Sequence, residues 1–149
     1  YTANQAILVK KGSDLDGITS LDQLKDATIG VQIGTTSYDA VEEQIQPDSD
    51  PKTFDNSNDV VTAFKQGQVD AIVVDLPTAI YLRDAELSDT VVAGQFEQEG
   101  GDQWGALMAK DSDLKTCVDQ AITALKDDGT LEEITNQWMA DSAKAPLLN

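Results

Sequence analysis

The run Val69-Asp-Ala-Ile-Val-Val74 is the most β-branched stretch in the chain. It has almost no polar face to show to water, so it is predicted to be a central strand covered on both sides. That requirement asks the remaining residues for neighbouring strands and for two layers of helix. The chain supplies both in alternation. Apolar or β-branched runs at Gln5–Val9, Thr28–Ile33, Lys52–Asp55, Thr90–Ala93 and Gln103–Ala109 are further predicted strands.

Helical spacings lie between them. Ser20 opens a short helix through Leu21 and Leu24, with Gln23 placed as in a capping box. A helix is predicted over Thr36–Gln44 and is stopped by the polar break Pro47-Asp-Ser-Asp-Pro51. Asn56, Ser57 and Asn58 cap a helix that carries Val60, Val61, Ala63 and Phe64, and Gly67 ends it. Leu76-Pro77 opens another through Ala79, Ile80 and Leu82, since proline is tolerated in a first turn. Phe96–Gly101 reads as a polar loop. Beyond Asp113, the residues Leu114, Val118, Ala121, Ile122 and Leu125 share one face, and Cys117 in the same pattern reads as a buried small hydrophobe. Gly129 breaks that helix. Thr130 with Glu133 then reads as the capping box of a last helix bearing Leu131, Ile134, Trp138 and Met139. Ala143–Asn149 reads as a loose tail. The expected fold class is α/β, a doubly wound and mainly parallel sheet with helices on both faces. At 149 residues the chain fits one ordinary domain with a real core.

Ligands on such sheets bind beyond the carboxyl ends of the strands, where the strand order reverses. Two polar groups fall there. The first is Gly34-Thr35-Thr36-Ser37, which closes the stretch Gly30-Val-Gln-Ile and starts a helix. Its hydroxyls sit beside backbone N–H groups that have no partner within the helix, at the positive end of the helix dipole. It is either an ordinary N-cap or a seat for a carboxylate. The second is Asp75, directly after the central run. It either caps the Leu76-Pro77 helix or receives an ammonium group. A hydroxyl cluster facing a carboxylate would suit a zwitterion.

Charge and residue usage narrow the chemistry. The net charge of −17 argues against nucleic acid and anionic membrane surfaces as partners. It leaves small anionic or zwitterionic ligands open, because these respond to the field inside a pocket. Cys117 is the single cysteine and histidine is absent, so there is no intrachain disulfide, no Cys–His nucleophile and no histidine-based zinc site or general base. No acidic run has the spacing of an EF-hand loop. No apolar run approaches the ~20 residues of a membrane-spanning helix. The start at Tyr1 suggests a mature or cut chain, so the missing leader says nothing about compartment.

Ser20-Leu-Asp-Gln-Leu-Lys25, Ile29-Gly-Val-Gln-Ile-Gly-Thr-Thr-Ser37, Gly67-Gln-Val-Asp-Ala71 with Asp75, Gly105-Ala-Leu-Met-Ala-Lys110, and Asp128-Gly-Thr-Leu-Glu-Glu-Ile134 through Trp138 follow one another in a familiar order. On these stretches the chain resembles the amino-acid-binding solute-binding proteins of ABC importers, which have the type II periplasmic-binding-protein fold. In that family two α/β lobes joined by two crossover strands close over the ligand. The resemblance covers the later part of such a protein. Residues 1–109 look like the second lobe with its two crossover strands. Residues 110–149 look like the C-terminal helices and tail that pack on a first lobe absent from this chain, and its carboxylate-binding arginine is absent too.

The resemblance further implies that Thr36, flanked by Thr35 and Ser37, meets the ligand carboxylate. It implies that Asp75 takes the ligand amino group and that Gln32 lines the pocket. Its partners would be an amino acid and an ABC permease, in the periplasm or at the outer face of the cell membrane on a lipid anchor. It implies no cofactor, no metal and no catalytic residue. Two other classes stay open on the same fold: the ligand-sensing ectodomain of a receptor or kinase, and a dehydratase-type enzyme. The apolar face of Leu114, Val118, Ile122, Ile134 and Trp138, left without its lobe, is expected to favour self-association.

Overall fold

Alternation along one strand sets up the two-sided packing. In β2 (Gln5–Lys10), Ile7 and Val9 enter one core while Ala6 and Leu8 enter another on the opposite face of the sheet. The computed structural model describes residues 1–98, 101–140 and 143–149. Its main sheet has the order β4 (Lys52–Phe54), β3 (Ile29–Gln32), β5 (Ala71–Asp75), β2 and β6 (Thr90–Phe96). The β-branched run thus forms the middle strand, where Ala71 and Val73 face one core and Ile72 the other. β3 pairs in parallel with β4 and β5, whereas β2 pairs antiparallel with both β5 and β6. Four strands therefore run one way and β2 runs against them.

Helices cover both faces. The single turn Leu21–Leu24 and α1 (Thr36–Ala40), which widens into a π-helical turn over Val41–Ile45, close the face of Ile7 and Val73. The other face is closed by α2 (Ser57–Lys65) and α3 (Leu76–Tyr81), the latter continuing through a second π turn at Leu82–Glu86. Val69 lies over β3 so closely that a Cβ at Gly30 would stand 3.0 Å from Val69 Cγ2, which explains a glycine inside that strand. The chain passes from β3 through α1 on one face to β4, then through α2 on the other face to β5. The crevice between β3 and β5 is therefore where the winding reverses.

Beyond the sheet, β1 (Thr2–Ala3) pairs antiparallel with β7 (Asp102–Gln103) in a separate two-strand ribbon. α4 (Lys115–Asp127) and α5 (Thr130–Thr135), with a π turn over Asn136–Ala140, form a helical pair. Met139 reaches back to the core under α3.

The structure departs from the sequence expectations at several points. The strand expected over Gln103–Ala109 shrinks to Asp102–Gln103, because Thr2–Ala3 offers only that much edge; Trp104 and Leu107 beyond it are exposed. β6 runs on to Phe96, where the polar loop was expected to begin, while Glu99 and Gly100 of that loop lie outside the described residues. Thr130 does not cap α5. Gly129 holds the N-cap position at φ 81°, and Asp128 Oδ1 accepts the Thr130 N–H at 2.9 Å instead. Cys117 is exposed rather than buried, since no residue of α4 is buried.

The terminal segment is not loose. Gln95 N–H donates to the Pro146 carbonyl and Leu148 N–H to the Gln95 carbonyl, each at 2.8 Å, and the Leu21 N–H meets the Asn149 carbonyl at 3.2 Å. Leu148 fills the space over Gly94, where a Cβ would come within 2.4 Å of Leu148 Cδ1. A leucine that plugs a glycine gap in a strand gives the tail an anchor that its composition does not advertise.

Candidate ligand-binding site

The carboxyl ends of β3, β4 and β5 and the amino end of the reversed β2 meet at one edge of the sheet. A cavity of about 240 Å³ opens there. Gln32, Thr35, Thr36 and Ser37 line it from the β3–α1 junction, Ser57 from the start of α2, and Asp75 and Thr78 from the β5–α3 junction. Asp102 of β7 completes the lining. All five residues singled out from the sequence (Gln32, Thr35, Thr36, Ser37 and Asp75) therefore share one cavity. A larger hollow of about 510 Å³ lies at the other end of the sheet, among Lys10, Asp14, Asp26 and Asp70. Strand geometry favours the smaller one, where helix N-termini and strand carboxyl ends converge.

The β3–α1 junction divides its hydroxyls by task. Thr35 is the N-cap: its Oγ1 accepts the Tyr38 N–H at 3.2 Å and donates to the Gln32 carbonyl at 2.8 Å. That hydroxyl is committed to holding the turn. Ser37 is buried and donates to Gln5 Oε1 at 2.7 Å. Thr36 is exposed to the cavity. Its Oγ1 donates to Asp102 Oδ2 at 2.5 Å and accepts from Gln5 Nε2 at 3.5 Å. Gln32, at the end of β3, accepts from Ser57 Oγ at 2.7 Å.

Gln5 organises the floor. It is fully buried at the first position of β2, level with Asp75 on β5 and Phe96 on β6. Besides Thr36, its Nε2 reaches Gln98 Oε1 at 3.2 Å and Asp102 Oδ2 at 3.4 Å. Gln98 in turn donates to the Thr36 carbonyl at 3.0 Å. A buried amide with its oxygen and nitrogen both engaged fixes the relative positions of α1, β6 and β7.

At the β5–α3 junction, Asp75 occupies the N-cap position of α3 without making a side-chain capping bond. Pro77 in the first turn lowers the number of N–H groups that need such a bond. The carboxylate is thereby left to the cavity. Tyr1 stands nearby, packed edge-on against Trp104 with ring centroids 5.8 Å apart. Burial, and then the Asp75 charge, push the Tyr1 phenol above its ordinary pKa and keep it neutral.

Sequence reasoning missed Gln5, Ser57, Thr78, Gln98 and Asp102. Gln5 had a signal, because it shares a strand face with Ile7 and Val9 and a polar residue on a core face needs a partner. Asp102 had none.

An open, doubly wound α/β lobe with a polar pocket at its switch point defines a class of ligand-binding lobe. An ancestral arginine-binding protein solved with glutamine superposes with a TM-score of 0.63 at 33% identity, covering 93% of this chain and 60% of that one. The fold is that of the type II periplasmic binding proteins. Residues 1–141 match the bacterial extracellular solute-binding proteins, family 3, and the chain belongs to that family. Relatives include the arginine-binding extracellular protein ArtP of Bacillus subtilis, 30% identical over 93% of this chain and 53% of its own length. The L-cystine-binding protein TcyJ of Escherichia coli is 32% identical over 92% and 51% respectively. The chain thus spans about half the length of the curated relatives it matches.

Proposed function

We propose that this chain is the second lobe of an extracytoplasmic protein that binds an amino acid and delivers it to an ABC permease. The observation that carries the reading is the meeting of the Thr36 hydroxyl and the Asp75 carboxylate in one cavity at the β3–β5 switch point. Thr36, beside the first N–H groups of α1, receives the α-carboxylate. Asp75, spared from capping, receives the α-ammonium through a charge-assisted bond. Gln32 borders the space for the ligand side chain, Ser37 holds Gln5, and Thr35 holds the turn. The relatives' names support an amino acid as ligand, and the family supports a place outside the cytoplasm, with or without a lipid anchor. Binding rather than catalysis fits a pocket of hydroxyls, amides and carboxylates in a chain without histidine.

The α4–α5 pair presents the face that a first lobe would cover, whereas residues 143–149 dock on this lobe's own sheet. Leu114, Leu125, Ile134 and Trp138 are exposed on it. Alone, the chain is expected to pair through that face, and sedimentation velocity across a wide concentration range would refute this by showing a monomer throughout.

A thermal-shift screen of the twenty amino acids, on this chain and on the full two-lobe polypeptide, tests the reading. A ligand that binds only the folded state raises the melting temperature by mass action. A shift in the two-lobe protein, absent or weaker in this chain, is the expected result. No shift in either overturns the proposal.

A further inference from the structure

We infer that Asp102 competes with the ligand for the Thr36 hydroxyl and so sets the affinity of the site for carboxylates. The inference rests on the reading of Thr36 as the carboxylate seat. A threonine hydroxyl carries one proton. In this structure that proton is directed at Asp102 Oδ2, 2.5 Å away, and the same oxygen accepts from Gln5 Nε2 at 3.4 Å. Asp102 is therefore held as a ligand carboxylate would be held, by a hydroxyl at the start of α1 and a side-chain amide at the start of β2. One proton cannot serve two carboxylates, and two carboxylates at one hydroxyl repel each other. Binding through Thr36 requires Asp102 to give up its hydrogen bond and move its charge aside.

Asp102 is placed for such an exchange. It belongs to the two-residue ribbon with Thr2–Ala3 and not to the five-stranded sheet, so its position depends on few backbone bonds. The side chain is half-buried, and the cavity it lines also contains Asp75. No lysine or arginine lines that cavity among the described residues, so nothing in it offsets the second negative charge. The exchange also links the site to the ribbon. A ligand that takes the Thr36 proton loosens the side-chain tie between α1 and β7, leaving the Gln5–Gln98–Thr36 tie in place.

The test is calorimetric titration of the full two-lobe protein with L-arginine, L-glutamine and L-cystine, each compared with its carboxamide. Variants are Asp102→Ala, Asp102→Asn and Thr36→Val, with Asp102→Ala repeated in the Thr36→Val background. Asp102→Ala is expected to tighten binding of whichever free amino acid binds, by about tenfold, the worth of one hydrogen bond to a charged group. The carboxamide should gain far less. Asp102→Asn, which keeps an acceptor without the charge, should fall between. In the Thr36→Val background Asp102→Ala should change affinity by less than about twofold, because the contested proton is gone. Equal or weaker binding by a folded Asp102→Ala protein overturns the inference while leaving the amino-acid reading intact. Binding of none of the probes by the wild-type or the variants overturns both.

Discussion

On α2, Val60, Val61, Ala63 and Phe64 are all buried; on α4, a longer helix with a comparable apolar stripe, no residue is. The two helices differ little in pattern and greatly in what lies opposite. α2 rests on the sheet beside Leu8 and Ile72, whereas α4 meets α5 and solvent. Helical spacing states which face would be buried. Whether it is buried depends on a partner, and about half the length of the relatives lies outside this chain. Short helices are marginal in water, so α4 draws less support from its surroundings than α2 does.

Truncating one side chain in each region should separate the two. Phe64→Ala removes a fully buried ring and is expected to cost about 3–5 kcal/mol in chemical denaturation. Ile134→Ala, on the exposed face of α5, should cost no more than about 0.5 kcal/mol in this chain. Equal costs would show that the helical pair is packed as firmly as the sheet. Asp75→Ala tests function within the firm region. Loss of a carboxylate that pairs with an ammonium should cost about 2–5 kcal/mol of amino-acid binding in the two-lobe protein, and melting should barely change because Asp75 makes no cap. Unchanged affinity by titration would remove Asp75 from the site.

Gly94→Ala probes the contact between sheet and tail. The added methyl collides with Leu148 and should destabilise by about 1–3 kcal/mol, with faster amide exchange at Gln95 and Leu148. Exchange unchanged at both would show that the leucine simply turns aside. The smallest effect is expected at the start of α5. The Thr130 hydroxyl and N–H hold the Asp128 carboxyl below its ordinary pKa. A depressed folded pKa stabilises above the ordinary carboxylate range, and that contribution is lost as pH falls through the depressed value. Amide exchange at Thr130 should quicken only once pH has fallen below the ordinary carboxylate range, while the sheet stays protected. Exchange independent of pH, after correction for intrinsic rates, would remove the cap from the account.

The legibility of the sequence follows the same division. Strand and helix order from Gln5 to Phe96 could be read because most of these elements bury what their spacing says they should; β4, none of whose residues is buried, is the exception. The reversal of β2 could not be read, since the alternation of Ala6, Ile7, Leu8 and Val9 is the same in either direction. Thr35, Thr36, Ser37 and Asp75 were legible because turns and strand ends carry marked residue types, whereas Gln32 was named only through the family resemblance. Asp102 was not, because its partner Thr36 is sixty-six positions away and only the ribbon brings them together. Beyond Gln103, local pattern and actual burial part company, and the expected strand, the cap at Thr130 and the buried Cys117 failed there together.

The docked tail has a consequence for solubility. β6 is the outermost strand of its sheet, and Thr-Val-Val-Ala-Gly-Gln-Phe is a sequence that readily recruits another strand. Residues 146–148 occupy part of its free edge, with Pro146 supplying a carbonyl but no N–H to continue a ladder. The tail thus works as a gatekeeper against edge-to-edge aggregation. Its removal would leave that edge open to pairing with the same strand of a second copy.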